Sequence, residues 1–176
     1  MPIRLIANAL LFQAAWFACV LGGTSWWLLI PVSALLVHFT WISSWAAEGK
    51  LVVSVALAGA AIDSFLLQLG VFDFATNDTL APAWLVLLWA LLATTLNHCL
   101  GWTARPLWMA GVLGAVAGPL SYFTGSALND TVTLPLGIQH TALILVPLWA
   151  LIFPLLHGFA HLYREQFRLL QMSRRD

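Results

Sequence analysis

Charge is what this chain has least of: only 8% of its 176 residues are Asp, Glu, Lys or Arg. Water-soluble globular domains carry about a quarter, so a chain that is also 61% hydrophobic does not belong with them. Basic clusters are missing apart from a short C-terminal stretch with Arg164, Arg168, Arg174 and Arg175. That argues against a nucleic-acid partner and sets the stretch against anionic headgroups, at roughly 1 kcal/mol per basic residue near the surface. Cysteine is scarce too. Cys19 and Cys99 fall in separate apolar stretches near opposite faces, with no CxxC motif, so no disulfide is expected. Trp16-Phe17-Ala18 ahead of Cys19 lack a lipoprotein cleavage pattern. GxSxG, P-loop and dinucleotide fingerprints are absent, and no hydrolytic nucleophile stands out.

Apolar length is what the chain does have. A membrane span needs about 20 mostly apolar residues, and six such stretches occupy 5–21, 26–47, 50–70, 83–101, 106–127 and 138–163. They predict an all-α integral membrane protein, a six-transmembrane-helix bundle forming one domain over 1–176 and leaving no room for a soluble domain. Arg4, Lys50, Arg105, Arg164, Arg168, Arg174 and Arg175 fall only at alternate ends of these stretches. Loops that keep Lys and Arg stay cytoplasmic, so both termini are expected there, as is the short inner loop Glu48-Gly49-Lys50 between the second and third stretches. Asp73, Asp78 and Asp130 lie in outer loops that contain no basic residue. The first stretch has a single Arg ahead of it, and the charge bias holds only if it is retained. It therefore reads as a helix and not as a cleaved signal peptide.

Ten Trp residues mark the plan. Trp26, Trp27, Trp45, Trp84 and Trp102 are expected near interfaces, where an amphipathic ring gains from both phases. Trp16, Trp41, Trp89, Trp108 and Trp149 are expected deeper or facing other helices. Asn77-Asp78-Thr79 and Asn129-Asp130-Thr131 match a glycosylation sequon, but Asn-Asp pairs also start turns through their own backbone, and that reading is preferred.

Small residues suggest where helices meet. Gly114 and Gly118, with Ala110 one turn earlier, form a small-xxx-small stripe followed by Pro119, which removes a backbone donor. Ala56, Gly59 and Ala60 recur at helical spacing on the third stretch and are the expected partner surface. Asp63 shares their face and so points into the bundle, roughly 20 Å from Lys50 at 1.5 Å per residue. A carboxyl there costs about 2.5–3.5 kcal/mol on insertion scales. It must be protonated, hydrogen-bonded or paired. It reads either as a proton-binding or substrate-contacting acid, or as a group bonded to Ser64, Ser121, Tyr122 or Gln139.

Histidines form the other polar set. His38 lies mid-way along the second stretch, Asn8 reaches a similar depth on the first, and Thr94, Thr95 and His98 form a stripe on the fourth. His157, His161 and Glu165 share one face of the sixth at metal-ligand spacing. Haem ligation needs facing His residues from two helices, for which His38 with His98 or His157 is conceivable. His157 and His161 also match an HxxxH box, but five His in total cannot supply the several boxes that di-iron desaturase chemistry requires. No cofactor is assigned.

Ile62-Asp63-Ser64-Phe65-Leu66, Leu69-Gly70, the run Leu113-Gly114-Ala115-Val116-Ala117-Gly118-Pro119-Leu120-Ser121-Tyr122-Phe123-Thr124-Gly125, and Pro82, Trp84, Leu88 and Trp89 carry a resemblance. The chain resembles, over its whole length, a family of small polytopic proteobacterial inner-membrane proteins of unknown function. The resemblance implies a bacterial inner membrane, makes the sequons irrelevant and turns the partner expectation toward membrane lipids and lipid-modifying enzymes. It brings no catalytic residue. Polar groups dispersed over several helices favour a non-enzymatic component that binds or moves a small or lipidic ligand. The alternative is a membrane-embedded enzyme acting at the inner leaflet through His38, His98, His157 and His161, with a metal or haem.

Overall fold

The computed structural model of the protein describes residues 2–74, 79–130 and 132–174. Asn77, Asp78 and Thr131 of the two sequons, and the tail residues Arg175 and Asp176, lie outside the described residues. Six α-helices follow one another among the described residues: α1 (Pro2–Gly22), α2 (Leu29–Val37), α3 (Trp45–Gln68), α4 (Ala83–Leu96), α5 (Leu107–Leu128) and α6 (Gly137–Ser173). No strand occurs among the described residues. Among those residues the only ladder-like contact is an isolated bridge in which Asp73 and Thr133 exchange backbone bonds of 3.0 and 2.8 Å. It ties the loop after α3 to the loop before α6.

α1, α3, α5 and α6 are long and apolar enough to cross a membrane, whereas α4 and the helical stretch Trp26–Ile42 that contains α2 are shorter. At 1.5 Å per residue α6 is about 55 Å long, well beyond the roughly 30 Å of a bilayer's hydrocarbon core. Large apolar side chains such as Leu57, Val116, Leu143 and Leu151 point outward from the bundle. Much of its exterior is therefore apolar.

Helix ends follow from local chemistry. Ser44 caps α3 by accepting a bond from Ala47 N–H at 3.3 Å. At the other end Gly70 takes a positive φ of 67°. Val71 N–H then bonds Leu66 O, and Gly70 N–H bonds Leu67 O, each at 3.0 Å, which is the double closure glycine permits at a helix C-terminus. The junction between α2 and α3 departs from the sequence expectation. The second stretch does not run through to 47: after Val37 the chain forms a π-helical turn, His38–Ile42, closed by Ser43 N–H to His38 O at 2.8 Å. The expected inner loop Glu48-Gly49-Lys50 is instead the start of α3. Likewise α4 stops at Leu96, and Asn97–Leu100 are turns rather than the last residues of a span.

α5 packs most extensively on α6, α3 on α4, and α1 on α4 and α2, while α1 and α5 touch only slightly. The glycine stripe explains the first pairing. A Cβ on Gly118 would lie 2.2 Å from the Trp149 ring, and one on Gly114 would lie 2.4 Å from Trp149 O. The helix these glycines approach is therefore α6, not α3 as the small-residue pattern suggested. Gly59 serves α4 in the same way, because its Cβ would fall 2.0 Å from the Trp89 ring. Close helix contact of this kind is limited by side-chain volume, which small residues relieve. Tyr163 OH and Ser54 Oγ, 2.8 Å apart, fasten α6 to α3.

The tryptophans divide differently from the expectation. Trp84, expected at an interface, is buried against Phe74, whereas Trp41 and Trp108 project outward.

Candidate functional site

Two buried polar groups and one chamber sit inside the bundle. The first group centres on Asp63, which is fully buried. Trp89 Nε1–H donates to its Oδ2 and Tyr122 OH donates to its Oδ1, both at 2.6 Å. The carboxyl thus links α3 to α4 and α5 without a basic partner. Of the four partners considered from sequence, only Tyr122 meets it in this structure. Ser64 Oγ bonds Ala60 O and Ala81 N–H, Ser121 Oγ accepts from Trp16 Nε1–H at 3.0 Å, and Gln139 is exposed. Trp89 was expected deeper or facing other helices, but nothing in the sequence marked it as a partner of Asp63.

Trp89 and Tyr122 form part of the wall of an apolar chamber of about 590 Å³. Phe12 and Trp16 of α1, Leu88 and Leu92 of α4, Leu113 and Ala117 of α5, and Trp149 and Phe153 of α6 also line it. Its position has a simple cause. Gly114 and Gly118 draw α5 onto α6 and away from α1, and the gap between α1 and α5 is bridged by the Trp16–Ser121 bond. The chamber reaches the outside of the bundle at Phe17 and Leu120, both of which line it and are exposed.

The second group lies where three helices break or begin. His38 opens the π-turn after α2, Glu48 is in the first turn of α3, and Asn97 and His98 are in the turns that end α4. His38 Nε2 is 2.8 Å from Glu48 Oε2, and His98 Nε2 is 3.1 and 3.3 Å from the two carboxylate oxygens. Asn97 Nδ2 donates to Oε1 at 3.0 Å. The two imidazoles meet edge to face, with centroids 5.1 Å apart. Glu48 therefore holds a carboxylate among three side-chain donors, at a helix start where the backbone dipole also favours negative charge. Asn8 of α1 braces the group. Its Oδ1 accepts from Cys99 N–H at 3.3 Å, its Nδ2 donates to Thr94 O at 3.2 Å, and Nδ2 lies 3.5 Å from His38 Nδ1. Arg164 of α6 donates to Asn97 Oδ1. A cavity of about 220 Å³ bordered by Glu48, Asn97, His98, Arg164 and Phe167 opens onto the group.

Asn8, His38 and His98 were singled out from sequence, and the structure gathers them around a residue that was not. Glu48 was read as a loop charge. The Ser43-Ser44 pair just before it is a helix-start signal that would have placed it on a helix. The candidate set His157, His161 and Glu165 is not assembled. His157 turns inward to Thr103 Oγ1 at 2.7 Å, His161 is exposed, and Glu165 pairs with Arg168 at 2.8 Å. Equal spacing along a helix aligned their backbones, but the packing of α6 against the residues after α4 gave their side chains different partners. Among the described residues no buried side-chain nitrogen or oxygen lacks a hydrogen-bond partner.

Neither the curated proteins nor the solved structures yield a match to this chain. One family does, over residues 5–155, which takes in the Asp63 network, the chamber wall and the Glu48 group. The chain belongs to the family described as protein of unknown function (DUF2878).

Proposed function

We propose that this is a six-span inner-membrane protein with both termini in the cytoplasm, forming one domain and holding the acyl part of a lipid in the chamber between α1 and α5. The observation that carries the ligand reading is the chamber itself. Its volume of about 590 Å³ falls within the ~300–1,000 Å³ usual for small-molecule sites. Its wall is almost wholly aliphatic and aromatic, and it reaches the outer surface of the bundle at Phe17 and Leu120. In a bilayer that surface faces hydrocarbon, so an acyl chain enters without leaving an apolar phase. Asp63 stands behind the wall, where it fixes the rings of Trp89 and Tyr122 and does not touch the ligand.

The basic residues support the orientation. Arg4 is one turn from Asn8, Lys50 follows Glu48, Arg105 follows the His98 turn, and Arg164 bonds Asn97, so all four belong to the end that carries the Glu48 group. Asp73 and Thr133 are joined in the loops expected on the other side. Partners in lipid modification suit a protein that presents a bound lipid.

Co-purified lipid provides the test. Protein purified in mild detergent is expected to retain phospholipid detectable by native mass spectrometry. Ala117→Trp, which fills the chamber from an exposed position on its wall, should remove most of it while leaving the protein monodisperse. Equal lipid retention in Ala117→Trp and wild type would refute the assignment.

A further inference from the structure

We propose that His38 Nε2, His98 Nε2 and the Glu48 carboxylate bind one divalent transition-metal ion, with an open coordination position facing the cavity beside Arg164. This goes beyond the lipid reading and does not rest on it, since the group borders its own cavity and shares no lining residue with the chamber.

The donor set is chemically selective. Two imidazoles and one carboxylate are ligands for zinc and for iron, manganese or cobalt in the divalent state, whereas calcium and magnesium require mainly oxygen. The three ligand atoms already lie within 4.8 Å of one another. Metal–ligand bonds of about 2.0–2.2 Å at tetrahedral angles put ligand atoms roughly 3.3–3.6 Å apart. The 2.8 Å His38–Glu48 contact must therefore widen by several tenths of an ångström, while the 3.1 and 3.3 Å contacts of His98 barely change. Among the described residues it is the only set of three or more His, Cys, Asp or Glu side chains that converges in this way.

The backbone around it is specialised. A π-turn supplies His38, and π-turns inside helices concentrate at functional sites. Asn8 grips the backbone on both sides of His98 through Thr94 O and Cys99 N–H, so the third ligand is held from a separate helix. Three protein ligands with a cavity on the fourth side is the arrangement that leaves a position for an exogenous group. With one carboxylate and two neutral imidazoles a divalent ion leaves the centre at a net charge of about +1. Arg164 adds a second positive charge at the mouth, so the open position favours an anion.

Metal binding requires the protons on the ligand nitrogens to move. Asn8 Nδ2 faces His38 Nδ1, so in the metal-free state His38 carries its proton on Nε2 and shares it with Glu48. An incoming ion takes the place of this proton and of the one that His98 Nε2 shares with Glu48, and each neutral imidazole then carries its single proton on Nδ1. The 3.5 Å contact to Asn8 is the weakest restraint in the cluster and the one that yields.

Cobalt(II) is the probe, because its visible spectrum reports low-symmetry nitrogen and oxygen ligation directly. Full-length protein in detergent, stripped with chelator, should take up one equivalent of Co²⁺ saturably, develop visible ligand-field bands and lose them on addition of Zn²⁺. His98→Ala should weaken uptake by more than about 100-fold, since loss of even an outer-shell partner costs 10–100-fold. His161→Ala and Glu165→Gln should leave it unchanged. Glu48→Gln removes the acceptor shared by three donors and can disturb folding. The decision therefore rests on partly exposed His98, with monodispersity as the folding control, and on the wild-type spectrum. Absence of saturable Co²⁺ uptake, uptake insensitive to His98→Ala, or uptake abolished by Glu165→Gln would each overturn the proposal.

Discussion

Asp63 shows how one buried acid is accommodated without a countercharge: each oxygen receives one strong donor, from Trp89 and from Tyr122. The carboxamide of Asp63→Asn can serve both contacts, accepting from the indole and donating to the phenol oxygen once the hydroxyl rotates. That change should cost no more than about 1 kcal/mol, the worth of a single typical hydrogen bond. Asp63→Leu orphans two buried donors at about 1–3 kcal/mol each. It should lower the thermal unfolding midpoint in detergent far more than Asp63→Asn does. Equal midpoints for the two would mean that the bonds contribute nothing. At this scale the sequence was partly readable. Small residues sharing a face with Asp63 pointed it inward, and Tyr122 was among its candidate partners. Trp89 was hidden, because an indole is as common in packing as in hydrogen bonding and only the approach of α4 to Gly59 brings it into reach.

Among helices, the Gly114–Gly118 stripe decides the arrangement. Replacing Gly118 by Leu forces atoms into the space of the Trp149 ring, and overpacking of that kind costs typically 1–3 kcal/mol. Gly114→Leu meets backbone at Trp149 O, which cannot swing aside, so it should be the more damaging of the two in thermal unfolding. In a background free of Cys19 and Cys99, cysteines at Gly111 and Ala150 should be joined by a short thiol crosslinker, because a Cβ on Gly111 lies 3.3 Å from Ala150 O. Cysteines at Gly111 and Ala56 should not. Efficient joining of the second pair alone would reinstate α3 as the partner. A stripe of small residues in sequence announces that some helix comes close, but every helix here is apolar, so nothing in the stripe names which one. The π-turn at His38 was invisible for a related reason. One extra residue per turn shifts the helical phase, and a search for 3.6-residue periodicity passes over it.

For the whole molecule, orientation is the prediction that follows from charge. Reporters fused after Arg105 and Asp176 should behave as cytoplasmic, and those in the 71–82 loop as periplasmic. Cytoplasmic behaviour of the 71–82 fusion would rule out six spans. The all-helical class was legible because long apolar stretches satisfy their own backbone most simply as helices. The Glu48 group was not, because its members are separated by up to 90 positions (Asn8 to His98) and meet only after two apolar helices prove too short to continue. One feature of the assembled bundle also gives it an optical identity. Trp89 and Trp149 lie face to face, 5.1 Å apart and within 11° of parallel, on the chamber wall. Transition dipoles that close couple into shared excited states, so this stacked pair should add a strong couplet to the ultraviolet circular dichroism. Anything that enters the chamber and tilts either ring should rewrite that signal, which makes the protein its own label-free reporter of occupancy.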